Sequence, residues 1–221
     1  MRILAFDTST EYCSAALYVS GQLLVREELA GQTHSDRLLL MLRELLSEAG
    51  LCLSQLDAIA FGAGPGSFTG LRIACGVAQG VALGAGLPVI PVGTLEALAE
   101  ANGGERVLAC LDARMGELYC AAYARVAQGW TETVSPLLCA PADLPALSGT
   151  GWAGTGTGFS AHGDAIRQHY GASLLSVDCA FPHARAIASV AAVKGLAAAV
   201  DAGDVYPLYI RNKVAKKMGE R

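Results

Sequence analysis

With 221 residues, 52% of them hydrophobic and 16% charged, the chain is long enough for one large domain or two small ones with ample core. A net charge of -4 excludes a general electrostatic pull towards nucleic acid. The seven cysteines show no C-x-x-C spacing and sit mostly in apolar runs, so reduced cytosolic thiols are expected. The chain opens with an apolar strand, Arg2 to Phe6, ending in Asp7-Thr8-Ser9-Thr10. It reaches Asp7 without the apolar core of a signal peptide, as a soluble intracellular protein would. Tyr12 to Val19 reads as a second strand, Ser20-Gly21 as a turn and Gln22 to Leu29 as a third strand. His34 to Ala49 reads as a helix with Leu38, Met41, Leu42, Leu45 and Leu46 on its apolar face, Thr33 or Ser35 as its cap and Gly50 as its stop.

A buried strand, Leu56 to Phe61, then runs into Gly62-Ala63-Gly64-Pro65-Gly66-Ser67-Phe68-Thr69-Gly70-Leu71-Arg72. The glycines and Pro65 force a tight loop, and Ser67 or Thr69 can cap the helix that follows. Such a loop at a helix N-terminus either cradles an anion on backbone N–H groups or is simply a sharp turn. It is not G-x-x-x-x-G-K-[ST], since it has no lysine. No charged residue occurs from Ile73 to Leu95, and Gly76, Gly80 and Gly84 recur every fourth position, which places them on one helical face. Three interior glycines cost a helix about 3 kcal/mol relative to alanine. Close approach by another element, in this chain or another, is the expected offset. A membrane span is discounted, because the run is Ala/Gly-rich, holds Gln79 and is broken by Pro88 and Pro91. A short strand from Pro88 to Val92 and a helix from Thr94 complete the order β-β-β-α-β-α-β-α.

The second half begins the same way. Val107 to Leu111 is an apolar strand ending in Asp112, followed by Ala113-Arg114-Met115-Gly116; Glu117 to Ala124 is a strand, Gln128-Gly129 a turn and Trp130 to Val134 its return. Tyr119-Cys120-Ala121-Ala122 echoes Tyr12-Cys13-Ser14-Ala15-Ala16. This pattern suggests an internal duplication. Beyond it the pattern decays. Gly151 to Gly158 reads as a second glycine-rich turn, Phe159 to Tyr170 as helical, and Pro182 to Val200 as an alanine-rich helix. The stretch from Arg211 carries Lys213, Lys216, Lys217 and Arg221. It reads as a solvated tail, with RNA or an acidic partner as the alternative.

Two halves, each a hairpin ended by an acidic turn, describe an α/β fold of the actin/hexokinase/Hsp70 type (ASKHA). The first lobe is placed at residues 1-100 and a reduced second lobe at 101-221. In that architecture the loops Asp7 to Thr10 and Asp112 to Gly116 approach the phosphates of a nucleotide, and Asp7 and Asp112 are candidates to hold Mg²⁺ through water. The plain alternative is that both aspartates end strands and cap turns.

Asp7-Thr8-Ser9, His34-Ser35, Gly64 to Arg72, Asp112-Ala113-Arg114 with Glu117 and Tyr119, and Tyr206-Pro207-Leu208-Tyr209-Ile210-Arg211 together resemble the TsaB (YeaZ) family, across essentially the whole chain. The stretch Gly64 to Arg72 is the most specific part. The resemblance implies a noncatalytic subunit of the bacterial machinery that places threonylcarbamoyladenosine (t6A) at position 37 of tRNAs reading ANN codons. It implies pairing with a catalytic paralogue, TsaD, and with itself when alone, through helices of the first lobe. It also implies an ATPase, TsaE, as a further partner, and tRNA reached indirectly through the assembly. On it, the partner or dimer surface is expected at His34, Leu38, Met41, Leu42, Leu45, Leu71, Arg72, Cys75, Gly76, Gln79, Gly80 and Gly84. Vestigial nucleotide loops are expected at Asp7, Thr8, Ser9, Thr10, Gly64, Gly66, Ser67, Asp112 and Arg114. ATP or ADP with Mg²⁺, bound weakly within the complex, is the only cofactor contemplated. TsaD carries two metal-binding histidines one helical turn apart, and the corresponding positions here are Thr94 and Leu98, so no metal site is expected. Two further readings compete: an active ATP-using kinase or ATPase of the same architecture, and a metalloprotease, which the lack of a paired-ligand motif disfavours.

Overall fold

The computed structural model describes residues 1–31 and 33–211; the lysines from Lys213 onward lie outside them. Two five-stranded sheets carry the chain. The first holds β1 (Arg2–Asp7), β2 (Tyr12–Val19), β3 (Gln22–Leu29), β4 (Ala58–Gly64) and β5 (Val89–Gly93) in the order β3-β2-β1-β4-β5. The second holds β6 (Arg106–Asp112), β7 (Leu118–Arg125), β8 (Trp130–Cys139), β9 (Trp152–Thr155) and β10 (Leu174–Val177) in the order β8-β7-β6-β9-β10. Each central strand, β1 or β6, pairs antiparallel with the next strand in sequence and parallel with the fourth strand of its half. The two halves therefore share one topology, and the duplicated two-lobed fold read from the hairpins is the fold observed. The reduction of the second half lies in one place. The first half has α1 (His34–Ala49) between its third and fourth strands, whereas the second has only a short 3-10 turn there.

The remaining helices are α2 (Phe68–Ala85), α3 (Thr94–Asn102), α4 (Gly158–Tyr170) and α5 (Ala184–Lys194). Strand alternation decides what each covers. Leu4, Phe6, Ala15, Leu17, Ile59 and Phe61 face α1 and α2, while Ile3, Ala5, Ala16, Ala58 and Ala60 point the other way, onto Ala184, Ile187, Ala188 and Ala191 of α5. In the second sheet Leu108, Cys110, Leu118 and Trp152 pack with Phe159 and Ile166 of α4. Val107, Ala109, Leu111 and Tyr119 pack with Leu95, Leu98 and Ala99 of α3. Each half's last helix thus covers the other half's sheet, and α3 and α5 touch between the two. Alanine facing alanine lets α5 lie close on the first sheet, which ties the lobes together at one edge and leaves a cleft at the other.

Several boundaries differ from the sequence reading. β9 occupies what reads as a glycine turn, because Gly154 must lack a side chain: a Cβ there would sit 2.4 Å from the Phe159 ring. α5 stops at Lys194 rather than Val200, with Gly195 at φ 64 as its C-cap. Thr33 makes no side-chain cap on α1, whereas Ser67 accepts from the Gly70 amide at 3.4 Å and caps α2. Among the described residues α2 alone is long and apolar enough to cross a membrane, yet Ala74, Ala78 and Ala82 seat its inner side in the first core.

Candidate functional site: the cleft and the outer face of α2

The cleft has a volume of about 1030 Å³ and is lined by the loop after β1, the turn before α2, the loop after β6, the start of α4 and residues 208–211. Glycine builds its first wall. A Cβ on Gly70 would fall 1.8 Å from the Thr8 carbonyl oxygen, and one on Gly66 would fall 2.6 Å from that of Ser9, so only glycine lets the two loops meet. The Ser67 amide donates to the Ser9 carbonyl at 2.7 Å and the Thr8 hydroxyl to the Gly70 carbonyl at 2.7 Å. His34 is buried, and its Nε2 donates to the Thr10 carbonyl at 2.9 Å. It holds this loop rather than facing a partner.

The two aspartates do not converge on a metal. Asp7 is fully buried. Its Oδ1 accepts from the amide and hydroxyl of Ser9 at 3.0 and 2.8 Å. Its Oδ2 has no hydrogen-bond partner among the described residues and lies where a side chain on Gly62 would stand. Burial pushes its carboxyl up to about 6, against the opposing pull of the Ser9 hydrogen bonds. Asp112 lines the cleft, but both its oxygens are taken: Oδ1 by the Arg114 amide at 2.8 Å and Oδ2 by Arg114 Nη1 at 3.0 Å. The expectation of Mg²⁺ held through water by this pair is therefore corrected. One carboxylate is sealed beneath the loop, and the other is neutralised by its own arginine. Nor is there, among the described residues, any group of three His, Cys, Asp or Glu placed to hold a metal ion.

Arg114 and Met115 both take left-handed backbone, φ 61 and φ 58, a strain of about 1–3 kcal/mol each for non-glycine residues. The loop is held shut by the Ala113 amide on the Glu117 carbonyl at 3.0 Å. It is also clamped by Arg211 Nη2, which donates to the Ala113 carbonyl at 2.9 Å and to Glu117 Oε2 at 2.8 Å. Arg211 ends a strap that runs back along α2. The Val205 carbonyl accepts from Gln79 at 3.1 Å, the Leu208 amide donates to the Ala63 carbonyl at 2.6 Å, and the Tyr209 hydroxyl accepts from Arg72 Nε at 3.0 Å. Arg72 also stacks on Phe68, 3.7 Å from the ring centroid. The sequence motif Tyr206 to Arg211 thus fastens the first lobe to the loop after β6, a role that nothing in its spacing foretells.

With the sheet beneath it and the strap along one flank, α2 keeps one face free. Gly76, Gly80 and Gly84 are exposed, and a Cβ added to any of them would meet nothing within 4 Å among the described residues. No packing among the described residues accounts for these glycines. Leu83, 78% exposed, and Leu39 of α1 are exposed too, and the sequence reading missed both. Leu38, Met41, Leu42, Leu45 and Cys75, expected at the partner surface, are instead buried in the first core, and Leu71, expected there too, is also buried. Helical periodicity identifies an apolar face but not what covers it, and here the chain's own sheet does.

The chain is similar over nearly its whole length to curated proteins named tRNA threonylcarbamoyladenosine biosynthesis protein TsaB. The relative from Haemophilus influenzae is 39% identical, covering 98% of this chain and 96% of its own. The relative from Escherichia coli K12 is 42% identical, covering 98% and 97%. The chain belongs to the TsaB family. The family model described as TsaD, tRNA N6-adenosine threonylcarbamoyltransferase, matches residues 25–217 of this chain. A solved structure titled YeaZ from Pseudomonas aeruginosa superposes with a TM-score of 0.83 at 38% identity, over 94% of this chain and 99% of that one. Of the two positions that the resemblance sets against paired metal-binding histidines, the Thr94 hydroxyl donates to the Pro65 carbonyl, and Leu98 is buried against the second sheet. Both serve packing.

Proposed function

We propose that this TsaB-family chain serves t6A biosynthesis as a noncatalytic partner subunit, on whose first lobe a TsaD-type transferase docks. Alone, the chain pairs with itself through the same surface. A TsaE-type ATPase joins the assembly, and tRNA is met through the complex rather than by this chain directly. We infer a cytoplasmic location, in keeping with tRNA as the substrate and with seven free cysteines. The observation that carries this reading is the outer face of α2. Three glycines weaken a helix by about 3 kcal/mol, and nothing among the described residues of their own chain uses the space they leave. Backbone-close docking by a helix of another chain would use it. Gly76, Gly80, Gly84, Leu83 and Leu39 form the proposed contact.

The test is Gly80→Leu. Its side chain has room in the isolated chain, so the variant should fold with an unchanged or raised melting temperature while losing copurification with a TsaD-type partner. A variant that still binds the partner, or one that fails to fold, removes the basis of the reading.

A further inference from the structure

Neither the cleft nor the outer face of α2 uses a row of sulfurs in the second lobe. All seven cysteines are free. Three of them share the face of the second sheet that α4 covers: Cys110 of β6, Cys120 of β7 and Cys139 of β8. Cys110 stands opposite Cys120 in the β6–β7 ladder. Cys120 pairs with Leu137 and Leu118 with Cys139, so Cys120 and Cys139 are diagonal neighbours. Their sulfurs approach to 3.8 Å. A disulfide needs about 2 Å, so the gap must close by about 2 Å, and β8 can supply that movement. It is an edge strand. Its ladder slips between Leu137 and Val134, where Pro136 has no amide to give. The two thiols also differ as nucleophile and resolving partner must. Cys120 is buried and Cys139 half-buried. The hydrogen bond to Cys139, with burial, pushes the Cys120 thiol up. The same bond holds Cys139 below the usual thiol value, against burial and the carboxylates of Asp143 and Glu117. Those carboxylates repel an anionic oxidant and admit a neutral one. Cys110 is sealed in the core, and burial pushes its thiol up.

We propose that Cys139 and Cys120 form a reversible dithiol site, oxidised by a small neutral hydroperoxide. The Cys139 sulfur attacks the peroxide, the O–O bond breaks, and Cys139 becomes a sulfenic acid while an alcohol (water, from hydrogen peroxide) departs. The Cys120 sulfur then attacks the Cys139 sulfur. The S–O bond breaks, an S–S bond forms, and the hydroxide leaves as water with the Cys120 proton. The two sulfurs lose two electrons and the peroxide gains them. In a reducing compartment the bond is transient, and while it lasts it pins the end of β8 to β7. No residue of α2 takes part, so the proposal stands or falls apart from the partner surface.

The test treats the reduced, full wild-type chain with a modest molar excess of hydrogen peroxide, blocks the remaining thiols with iodoacetamide and maps the peptides by mass spectrometry. The expected product is a peptide pair joined through Cys120 and Cys139, lighter by two hydrogens and released by dithiothreitol. It should form several-fold faster than exposed Cys52 and Cys179 are oxidised. Cys139→Ser should lose the link. Cys120→Ala should leave Cys139 as a sulfenic acid that dimedone captures, a product that mere packing of the two thiols would not give. No link in the wild type, a link from Cys120 to Cys110 instead, or oxidation confined to Cys52 and Cys179 each overturns the proposal. The wild-type map decides the matter even where a variant fails to fold.

Discussion

The two halves share one strand order but spend it differently. In the first half, the helix after the fourth strand is α2, whose outer face is small, uncharged and open. In the second, the equivalent helix is α4, which turns Asp164, Arg167, Gln168 and His169 to solvent. Below these helices the halves are alike. Gly66 and Gly70 let α2 close on the end of β1, and Gly156 and Gly158 let α4 close on the end of β6. The inner geometry is therefore kept by steric necessity, and the outer faces are free to diverge. An uncharged face costs little to desolvate, which is why the proposed docking falls there.

The largest effect should come from the shared inner geometry. Gly70→Ala drives a Cβ to 1.8 Å from the Thr8 carbonyl, and Gly156→Ala drives one to 2.2 Å from that of Cys110 at φ +113. Each should cost about 3 kcal/mol or more in urea unfolding. A variant with an unchanged midpoint would break the equivalence of the halves. Next comes Asp7, which belongs to the first half alone in being sealed. Its pKa, raised from 3.8 to about 6, means that the folded state binds the extra proton between those values. Its stabilising contribution is complete below about pH 4 and is lost as pH rises through 6, by about 3 kcal/mol. Asp7→Asn should therefore gain stability over the wild type at pH 8 and little at pH 4, read from thermal unfolding at each pH.

A smaller loss is expected on cutting the strap that joins the halves. Arg211→Ala removes the clamp on Ala113 and Glu117 and should cost about 1–2 kcal/mol. It should also speed hydrogen exchange at residues 113–117 while leaving β1 protected. The smallest change has the opposite sign. Gly80→Ala should stabilise the isolated chain by up to about 1 kcal/mol and still weaken association, a separation that a purely internal role for Gly80 would not allow.

Much of this was legible in the sequence, and the failures share a cause. Both hairpins, α1 and the glycine helix announce themselves by period and by Gly50 and Ser67 at their ends. β9 did not, because four residues carrying Gly154 look like a turn until Phe159 is seen to need the space. β10, four residues with only Leu174 and Val177 packed against the core, carries too little pattern to find. At the site, the loops around Asp7 and Asp112 were placed correctly in the chain, yet one-dimensional spacing does not tell a carboxylate facing a cleft from one beneath it. Likewise Leu38, Leu42 and Leu45 mark a face without naming its cover, whereas glycines that nothing fills point outward only once the structure shows the empty space beside them.

The most direct measurement is hydrogen exchange of the full chain with and without a TsaD-type partner. The account predicts slowed exchange along residues 72–85 of α2 and none along α4. Protection on α4, or no change on α2 in a complex shown to have formed, would contradict it.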